Sequence, residues 1–194
     1  NNPSVGAMSA VIEKKHHDKE ILERNHRELK LYRQDMKHRY EPFPLTDVQY
    51  AYWIGRSTHY SLGQVGTHCY FELDMEDCNY EKLELAFNRL IAEHDMMRAV
   101  VLSDGSQRIL KGELKYKISV KRLKGENAKE YLAKVREDMS HQLIDTSIWP
   151  LFDIRATEYE EKKTRIHISF DNIIFDGFSM FHILGEWKKL YDGI

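Results

Sequence analysis

Residues 167–181 read HISFDNIIFDGFSMF, and two carboxylates in this stretch interrupt what is otherwise an apolar, strand-like run. Asp171 directly follows the segment IHISF, and Asp176 and Ser179 come just after it. A buried carboxylate costs several kcal/mol unless it is paired or hydrogen-bonded. Sheets often present site residues where a strand ends. The spacing D-x-x-x-x-D-x-x-S at a strand-to-helix junction therefore predicts a functional site.

Each of these residues also has an ordinary structural interpretation. Asp176 precedes a predicted helix, so its side chain would accept hydrogen bonds from the amides of Phe178 and Ser179 as an N-cap. Asp171 has no helix terminus to satisfy it, and Ser179 alone carries little information. The sequence has neither a G-x-S-x-G elbow for a serine nucleophile nor a glycine-rich loop for phosphate.

Composition excludes several classes of protein. The net charge of -2 from 29 basic and 31 acidic residues argues against nucleic-acid binding. Cys69 and Cys78 form no paired spacing, and the ten histidines lie apart from other ligands, so we predict no metal site. No apolar run approaches the ~20 residues that span a bilayer, and no signal peptide is evident. We therefore expect a cytoplasmic protein that does not interact with a membrane.

The sequence predicts three parts. Residues 1–8 form a disordered lead, and residues 9–40 form a long charged helix that is either a linker or a docking segment. Its thin apolar stripe consists of Leu22, Leu29 and Met36. Pro42 and Pro44 stop this helix, because proline lacks an amide proton and disfavours helix in the preceding residue. Residues 41–194 are then the folded domain.

The folded domain mixes strands and helices without strict alternation. A short helix begins at Thr46 or Asp47 and ends before Gly55. The other predicted helices span about 79–94, 127–143 and 177–191. Strands are predicted near 67–75 and 116–123, together with hairpins at 97–112 and 151–170. This pattern predicts a mixed α/β, two-layer sandwich with a mostly antiparallel sheet covered by helices.

Three motifs occur in an order that resembles the heterocyclization branch of the condensation domains of nonribosomal peptide synthetases. The D-x-x-x-x-D-x-x-S pattern is similar to the motif that this branch carries where the condensing branch has HHxxxDG. Residues 39–56, RYEPFPLTDVQYAYWIGR, resemble the branch's opening motif. Residues 93–110 resemble the segment after its first long helix, with Glu93 where an arginine is usual and Arg98 where a second arginine is usual.

The resemblance implies roles for individual residues. Asp171 would face the substrate tunnel and act with Ser179 as the catalytic pair, whereas Asp176 would form a structural ion pair with Arg98. Asn172 takes the place of the condensing branch's second histidine, and an amide cannot accept a proton near neutral pH. The residues expected to line the tunnel or support the motif are Asn172, Gln49 and Tyr52.

The resemblance also implies an activity. An acyl group on one carrier protein is joined to the amine of Cys, Ser or Thr on the next, and the side chain then closes a thiazoline or oxazoline ring with loss of water. Such rings occur in natural products such as siderophores. Substrates arrive on the 4'-phosphopantetheine arms of upstream and downstream peptidyl or aryl carrier domains, with no cofactor bound directly.

The fold that the resemblance implies is the N-terminal half of a chloramphenicol-acetyltransferase-like domain. The tunnel would lie between this half and a C-terminal half of the same domain. We therefore expect the chain alone to be inactive, and its last helix and the tunnel side of its sheet to expose apolar surface.

Three alternatives stay open. One is a condensation-only or degenerate relative that forms no ring, and another is a non-catalytic piece that docks carrier proteins through residues 9–40. The third is an acyltransferase that uses coenzyme A, which is disfavoured because acyltransferases of this fold keep the histidine that Asn172 replaces.

Overall fold

A computed structural model describes residues 35–56, 65–123 and 127–194 of the 194-residue chain. It divides into two compact units after Lys37, and every element below belongs to the unit His38–Ile194. The predicted lead and most of the predicted helix at 9–40 lie outside the described residues. The prediction that this helix continues to Tyr40 is wrong, because residues 35–41 form bends and turns. Within this stretch the guanidinium of Arg39 holds the Asp95 carboxylate through two hydrogen bonds, of 2.7 and 2.5 Å.

The described part of the chain contains four α-helices and a short 3-10 helix. The α-helices are α1 (Asp47–Gly55), α2 (Tyr80–Glu93), α3 (Ala128–Ser140) and α4 (Gly177–Asp192), and the 3-10 helix is Asp95–Arg98. Polar side chains cap three of them, two at positions that the sequence predicts. The capping residues are Thr46 for α1, Asn79 for α2 and Asp176 for α4. Local sequence therefore sets where these helices start.

Within the described residues, seven strands form two sheets. They are β1 (Phe43–Pro44), β2 (His68–Glu76), β3 (Ala99–Val101), β4 (Ser106–Ile109), β5 (Ser119–Arg122), β6 (Phe152–Glu160) and β7 (Lys163–Asp171). The smaller sheet has the order β1-β4-β3, and the larger one has the order β2-β7-β6-β5. All pairs are antiparallel except β5 with β6. The predicted mixed α/β class with antiparallel hairpins is confirmed.

The two predicted hairpins and the three longer helices are present, but some details differ. The strand predicted over 116–123 shortens to β5, and it pairs in parallel with β6. The two-residue strand β1 was not predicted, because prolines at positions 42 and 44 favour a loop. Pro44 is tolerated there since β1 is an edge strand of its sheet.

One face of the larger sheet carries the apolar core. Every second residue of β7 points to this face and packs against buried side chains of α2 and α4. Burying these residues removes a large apolar area from water. These residues include Ile166, Ile168 and Phe170 from β7, Phe87 and Leu90 from α2, and Ile183 and Trp187 from α4. Phe87 lies at the centre, with ring centroids 4.7 Å from Trp187 and 5.3 Å from Phe152.

The opposite face of the same sheet is polar and is covered by α3. The next residues along β7, which are Arg165, His167, Ser169 and Asp171, point to this side and pair with β2 positions 74, 72, 70 and 68. From α3 only Leu132, Val135 and Met139 are buried. Asp171 therefore ends a strand on its polar face rather than on the apolar core.

Candidate functional site

Asp171 is fully buried at the end of β7, with 0% of its surface exposed. Its Oδ2 accepts a charge-assisted hydrogen bond from Nη2 of Arg56, and its Oδ1 accepts one from the backbone amide of Ile173 at 2.9 Å. Both carboxylate oxygens are thus occupied by partners from the protein. The residue that the sequence assigned to the substrate tunnel is enclosed and ion-paired.

Arg56 reaches Asp171 from the end of α1. It is the C-cap residue of that helix, and 8% of its side chain is exposed. Its Nη1 also donates to the carbonyl of Ile144 at 3.0 Å, which fixes the orientation of the guanidinium. Sequence reasoning missed this partner, although the Gly-Arg pair that ends the opening motif was the available signal.

Burial raises the pKa of the Asp171 carboxyl above its ordinary value. The Arg56 guanidinium, the Ile173 amide and the charge of His68 oppose this shift. An isolated ionised carboxylate is costly in such a place, so its charge depends on the arginine. The pair is therefore one electrostatic unit, and removing either member strands the other.

The loop of residues 171–176, here called the motif loop, is also held from the start of α1. Gln49 lies at the third helical position, where its Oε1 accepts from the Thr46 amide at 2.9 Å in a capping box. Its Nε2 donates to the carbonyl of Ile173 at 2.7 Å. The Ile173 peptide is thus bonded on its amide side by Asp171 and on its carbonyl side by Gln49.

Asp176 is exposed and acts as the N-cap of α4. Its Oδ1 accepts from the Ser179 amide at 2.7 Å, and hydrogen bonds from Ser179 and the Phe178 amide lower the pKa of its carboxyl. Ser179 is half-buried in the first turn of the helix. This is the ordinary capping interpretation of Asp176, and it leaves no need for a distant cation.

The predicted ion pair between Asp176 and Arg98 is wrong. Arg98 is 5% exposed and is engaged elsewhere in the described structure. Its Nη2 binds Asp95 at 2.6 Å, and its Nη1 donates to the carbonyls of Ile91 and Ala92 at the end of α2. A cation at a helix C-terminus satisfies the open carbonyls there. Arg98 thus stabilises the end of α2, and the buried pair of the motif is Asp171 with Arg56.

The other two predicted supporting residues are Asn172 and Tyr52. The backbone amide of Asn172 donates to the carbonyl of Thr67 at 2.9 Å, so the start of the motif loop is tied to the segment before β2. Its side-chain Oδ1 is buried and finds no hydrogen-bond partner among the described residues. Tyr52 is half-buried and packs against the apolar core. Asn172 is thus part of the motif loop, the contact of Tyr52 is with the apolar core, and neither contact assigns a chemical step.

An exposed aromatic face lies beside the motif loop at the start of α4. Phe178 is 85% exposed and Phe181 is 70% exposed. The ring of Phe181 lies 6.5 Å from that of Phe71 on β2, and Leu73 of the same strand is 45% exposed. Large apolar side chains of this kind, next to one another, indicate a surface that another protein segment covers.

The described residues show neither a metal-binding cluster nor a helix that could span a membrane. Across 35–56, 65–123 and 127–194 there is no group of three or more His, Cys, Asp or Glu side chains that could hold a metal ion. Over the same residues, no helix has both the length and the apolar character needed to cross a bilayer.

Comparison with known protein families gives one match that covers most of the chain. The model of the Condensation domain family matches residues 40–194. The match includes all the elements described above and the motif loop.

Curated relatives are large synthetases that this chain matches only in part. Phenyloxazoline synthase MbtB of Mycobacterium tuberculosis is 35% identical over 158 residues, which is 79% of this chain and 11% of that protein. Bacitracin synthase 1 of Bacillus licheniformis is 32% identical over 161 residues, which is 81% of this chain and 3% of the relative. Pyochelin synthetase PchF of Pseudomonas aeruginosa is 30% identical over 81% of this chain and 9% of its own length.

A solved structure shows the same fold. The cyclization-docking bidomain of the nonribosomal peptide synthetase EpoB from Sorangium cellulosum superposes with a TM-score of 0.82 at 31% identity. The match covers 97% of this chain and 38% of the bidomain. The nonribosomal peptide synthetase FmoA3 gives a TM-score of 0.68 at 27% identity over 81% of this chain and 16% of its own.

Proposed function

The chain belongs to the condensation-domain family of nonribosomal peptide synthetases and corresponds to the N-terminal portion of a domain from the heterocyclization branch, and we infer that it takes part in the reaction of that branch. From that membership we propose that the intact protein joins a carrier-bound acyl group to the amine of Cys, Ser or Thr and then closes a thiazoline or oxazoline ring. The chain spans 38% of the solved bidomain, so this activity belongs to the whole domain.

The observation that carries this proposal is the strand-to-helix junction. Asp171, Asp176 and Ser179 occur there in the order of the heterocyclization motif, between β7 and α4, and the chain superposes on a cyclization-docking bidomain with a TM-score of 0.82. Position 172 holds an amide, so the histidine that would accept a proton in the condensing branch is replaced. Two named relatives, a phenyloxazoline synthase and a pyochelin synthetase, support the same interpretation.

The proposed chemistry has two steps. The amine attacks the thioester carbonyl of the donor, and the thiol of the donor's pantetheine arm leaves. The side-chain thiol or hydroxyl then attacks the new amide carbonyl, and the former carbonyl oxygen departs as water. Both steps need two tethered reactants held in register, so much of the rate must come from positioning.

The geometry favours a positioning role for Asp171 in this reaction. Its two oxygens are occupied by Arg56 and Ile173, so it shapes the motif loop rather than presenting a free carboxylate. Ser179 is half-buried at the junction, and we propose it as the residue of this motif that contacts substrate or water. Replacing Ser179 by alanine should then slow product formation while lowering the melting temperature only slightly, because the Asp176 cap loses the hydroxyl but keeps the backbone amide of residue 179.

We propose that the exposed aromatic face, with Phe178 and Phe181, meets the C-terminal half of the same domain. The reaction tunnel would lie between the two halves, with carrier domains delivering their pantetheine arms to it. The chain alone should bind substrate weakly and turn over poorly, because one wall of the tunnel is missing.

The mass of the product made by the intact protein tests the proposed function. The protein is supplied with an acyl donor on its upstream carrier and with cysteine on its downstream carrier. Heterocyclization predicts a product that has lost one more water than the open amide. A product that stays an open amide would identify a condensation-only relative, and no product at all would contradict both activities.

A further inference from the structure

Two glutamine side chains form a closed pair beside the motif loop. Gln49 of α1 donates from Nε2 to Oε1 of Gln107 at 3.1 Å, and Gln107 donates from Nε2 to Oε1 of Gln49 at 3.0 Å. The second amide proton of Gln49 goes to the Ile173 carbonyl at 2.7 Å, and that of Gln107 goes to the Pro44 carbonyl at 3.2 Å. We call Gln49 and Gln107 the amide pair.

Gln107 is buried and Gln49 is half-buried, and both amide protons of each side chain are donated to partners in the described structure. Gln107 is 3% exposed on β4, and the Thr46 amide supplies a further hydrogen bond to Oε1 of Gln49. A fully satisfied polar network in a low-dielectric place holds one arrangement, since any other leaves a buried group unpaired. The amide pair therefore fixes β1, α1, β4 and the motif loop relative to one another.

The identity of residue 49 as glutamine is more specific than helix capping requires. A capping box needs only an acceptor oxygen at this position, and glutamate serves as well as glutamine. A negative charge in the first turn is even favourable, because it lies at the positive end of the helix dipole. Capping thus makes no use of the donor group of Gln49, which instead bonds to Ile173 and Gln107.

The Ile173 carbonyl is the point where this pair meets the motif. Arg56 acts on the amide side of Ile173 through Asp171, and Gln107 acts on the carbonyl side through Gln49. Gly105, in the β3–β4 turn, supports the same arrangement, because its φ of +78° and lack of Cβ let the turn approach Trp53 of α1. A Cβ added at Gly105 would lie 3.1 Å from the Trp53 ring.

We propose that Gln107 is a positioning residue for the reaction, acting through Gln49 on the Ile173 carbonyl and so on the motif loop. This inference rests on the proposed function for its kinetic consequence and on the hydrogen bonds alone for its structural one. The donor amide of Gln49 is the required feature, and its acceptor oxygen is not sufficient.

The variant Gln49→Glu separates positioning from capping. It keeps the acceptor oxygen for Thr46 and adds a favourable charge, but it removes both donated hydrogen bonds. In the intact protein we expect the cap of α1 to be kept but the melting temperature to fall, because the Ile173 carbonyl and Oε1 of Gln107 lose their donor. We expect kcat for product formation to fall roughly tenfold, with KM for both carrier substrates within about twofold, because the loop is displaced while the binding surfaces are kept.

Amide hydrogen exchange measures the displacement of the motif loop without an activity assay. The amides of residues 173 and 174 are bonded to Asp171, at Oδ1 and at the backbone carbonyl respectively, so they report whether the loop keeps its shape. Gln49→Glu should speed exchange in residues 172–175 roughly tenfold. Gln107→Met, which removes the partner amide without adding charge, should do the same, and it substitutes for Gln49→Glu if that protein fails to fold.

Asn88→Asp is the matched control. The Asn88 amide also donates to two backbone carbonyls, those of Glu84 and Tyr116, but these lie on α2 and in the segment before β5. It should lower the melting temperature and leave both kcat and exchange at 172–175 unchanged.

The outcomes separate the positioning role of Gln107 from the proposed function. Wild-type kcat and wild-type exchange in Gln49→Glu would overturn the positioning role, as would an equal loss of kcat in Asn88→Asp. A rise in KM at constant kcat would also overturn it, because that result indicates lost binding. If the wild type makes no amide and no ring, the proposed function fails, and the exchange measurement still decides whether the amide pair holds the loop.

Discussion

At the scale of single residues, Asp171 is buried together with its partner Arg56. The carboxylate is 0% exposed, and 8% of the arginine side chain is exposed, so neither charge is solvated well. Such pairs contribute little net stability compared with a well-packed apolar pair, but breaking one leaves a buried charge alone. The value of the pair therefore lies in the shape it gives the motif loop.

Removing the cation tests this arrangement. Arg56→Met should lower the free energy of unfolding by about 3–5 kcal/mol, because Asp171 is left buried and unpaired. Urea unfolding of the variant and the wild type measures the difference. The matched control is Arg122→Met, since Arg122 pairs with Glu158 at the surface with 66% of its side chain exposed, and it should change little. Equal stability of Arg56→Met and the wild type would contradict the account.

Asp176 should behave as a helix cap. Asp176→Ala removes the acceptor of the Ser179 amide, so we expect a small fall in melting temperature, clearly smaller than that of Arg56→Met. Asp176→Asn keeps a capping oxygen and should restore most of the loss. A fall as large as that of Arg56→Met would instead indicate an ion-pair partner that this geometry does not provide.

At the scale of the elements, the larger sheet has an apolar face and a polar face, and α3 covers the polar one. A directional chain of hydrogen bonds crosses that face. The hydroxyl of Thr157 lies 3.4 Å from Nε2 of His167, whose Nδ1 lies 2.7 Å from the Tyr70 hydroxyl. Tyr70 donates to Glu72 at 2.9 Å, and Arg136 of α3 holds Glu72. In this chain of hydrogen bonds His167 is neutral, with its proton on Nδ1.

The buried His167 on the polar face of the larger sheet should make the free energy of unfolding depend on pH. Burial lowers the pKa of His167 from 6.5 to about 4. In the unfolded chain the imidazole binds a proton below its ordinary pKa, whereas in the folded protein it does so only near pH 4. Between those values the unfolded state holds more protons, so stability is lost as the pH falls.

The measurement is urea unfolding between pH 7 and pH 4. The free energy of unfolding should fall by on the order of 2 kcal/mol across this window because of His167. His167→Gln keeps a donor for Tyr70 and should show a shallower dependence, and the difference between the two proteins cancels the other titrating groups. Parallel pH profiles for the two proteins would contradict the buried neutral histidine.

The elements also show what the sequence predicts well. Apolar periodicity identifies α2, α3 and α4, and turn residues identify the β3–β4 and β6–β7 hairpins, because both signals are local. The parallel pairing of β5 with β6 and the two-residue strand β1 depend on partners distant in sequence. No local pattern contains that information.

The candidate site likewise has a part that the sequence predicts and a part that it does not. The junction with Asp171, Asp176 and Ser179 follows from the sequence, as does the N-cap interpretation of Asp176. The partner of the buried Asp171 carboxylate does not follow from the sequence. Arg56 lies 115 positions away, and no sequence pattern distinguishes it from Arg98 as the cation. Gln107 carries no sequence signal at all, because its role depends on meeting Gln49 across 58 positions.

At the scale of the whole molecule, the exposed aromatic face is the main feature that the described residues leave unexplained. Phe178 and Phe181 follow the motif loop in the first turns of α4, so whatever covers them also borders the loop. A second half of the domain would bury these rings and close the tunnel. Surface apolar area and reaction site are therefore parts of one interface in the proposed domain.

Oxidative footprinting checks this interface. Phe178 and Phe181 should be labelled strongly in the 194-residue chain and at least several-fold less in the intact domain, because the second half excludes water from them. Leu85 is a control of similar exposure, at 73%, on α2, and its labelling should not change. Equal labelling of the two phenylalanines in both proteins would contradict the proposed interface.

The central claim is that Asp171 shapes the motif loop by pairing with Arg56 and does not itself act on substrate. The most direct test is ring formation by the intact protein carrying Asp171→Asn together with Arg56→Gln. This double variant removes both buried charges, while the new side chain at position 171 keeps an oxygen for the Ile173 amide and gains an amide that can donate to position 56. It should therefore regain most of the stability and product that Arg56→Met loses. A double variant that melts like the wild type but forms neither amide nor ring would contradict the claim and identify Asp171 as a catalytic residue.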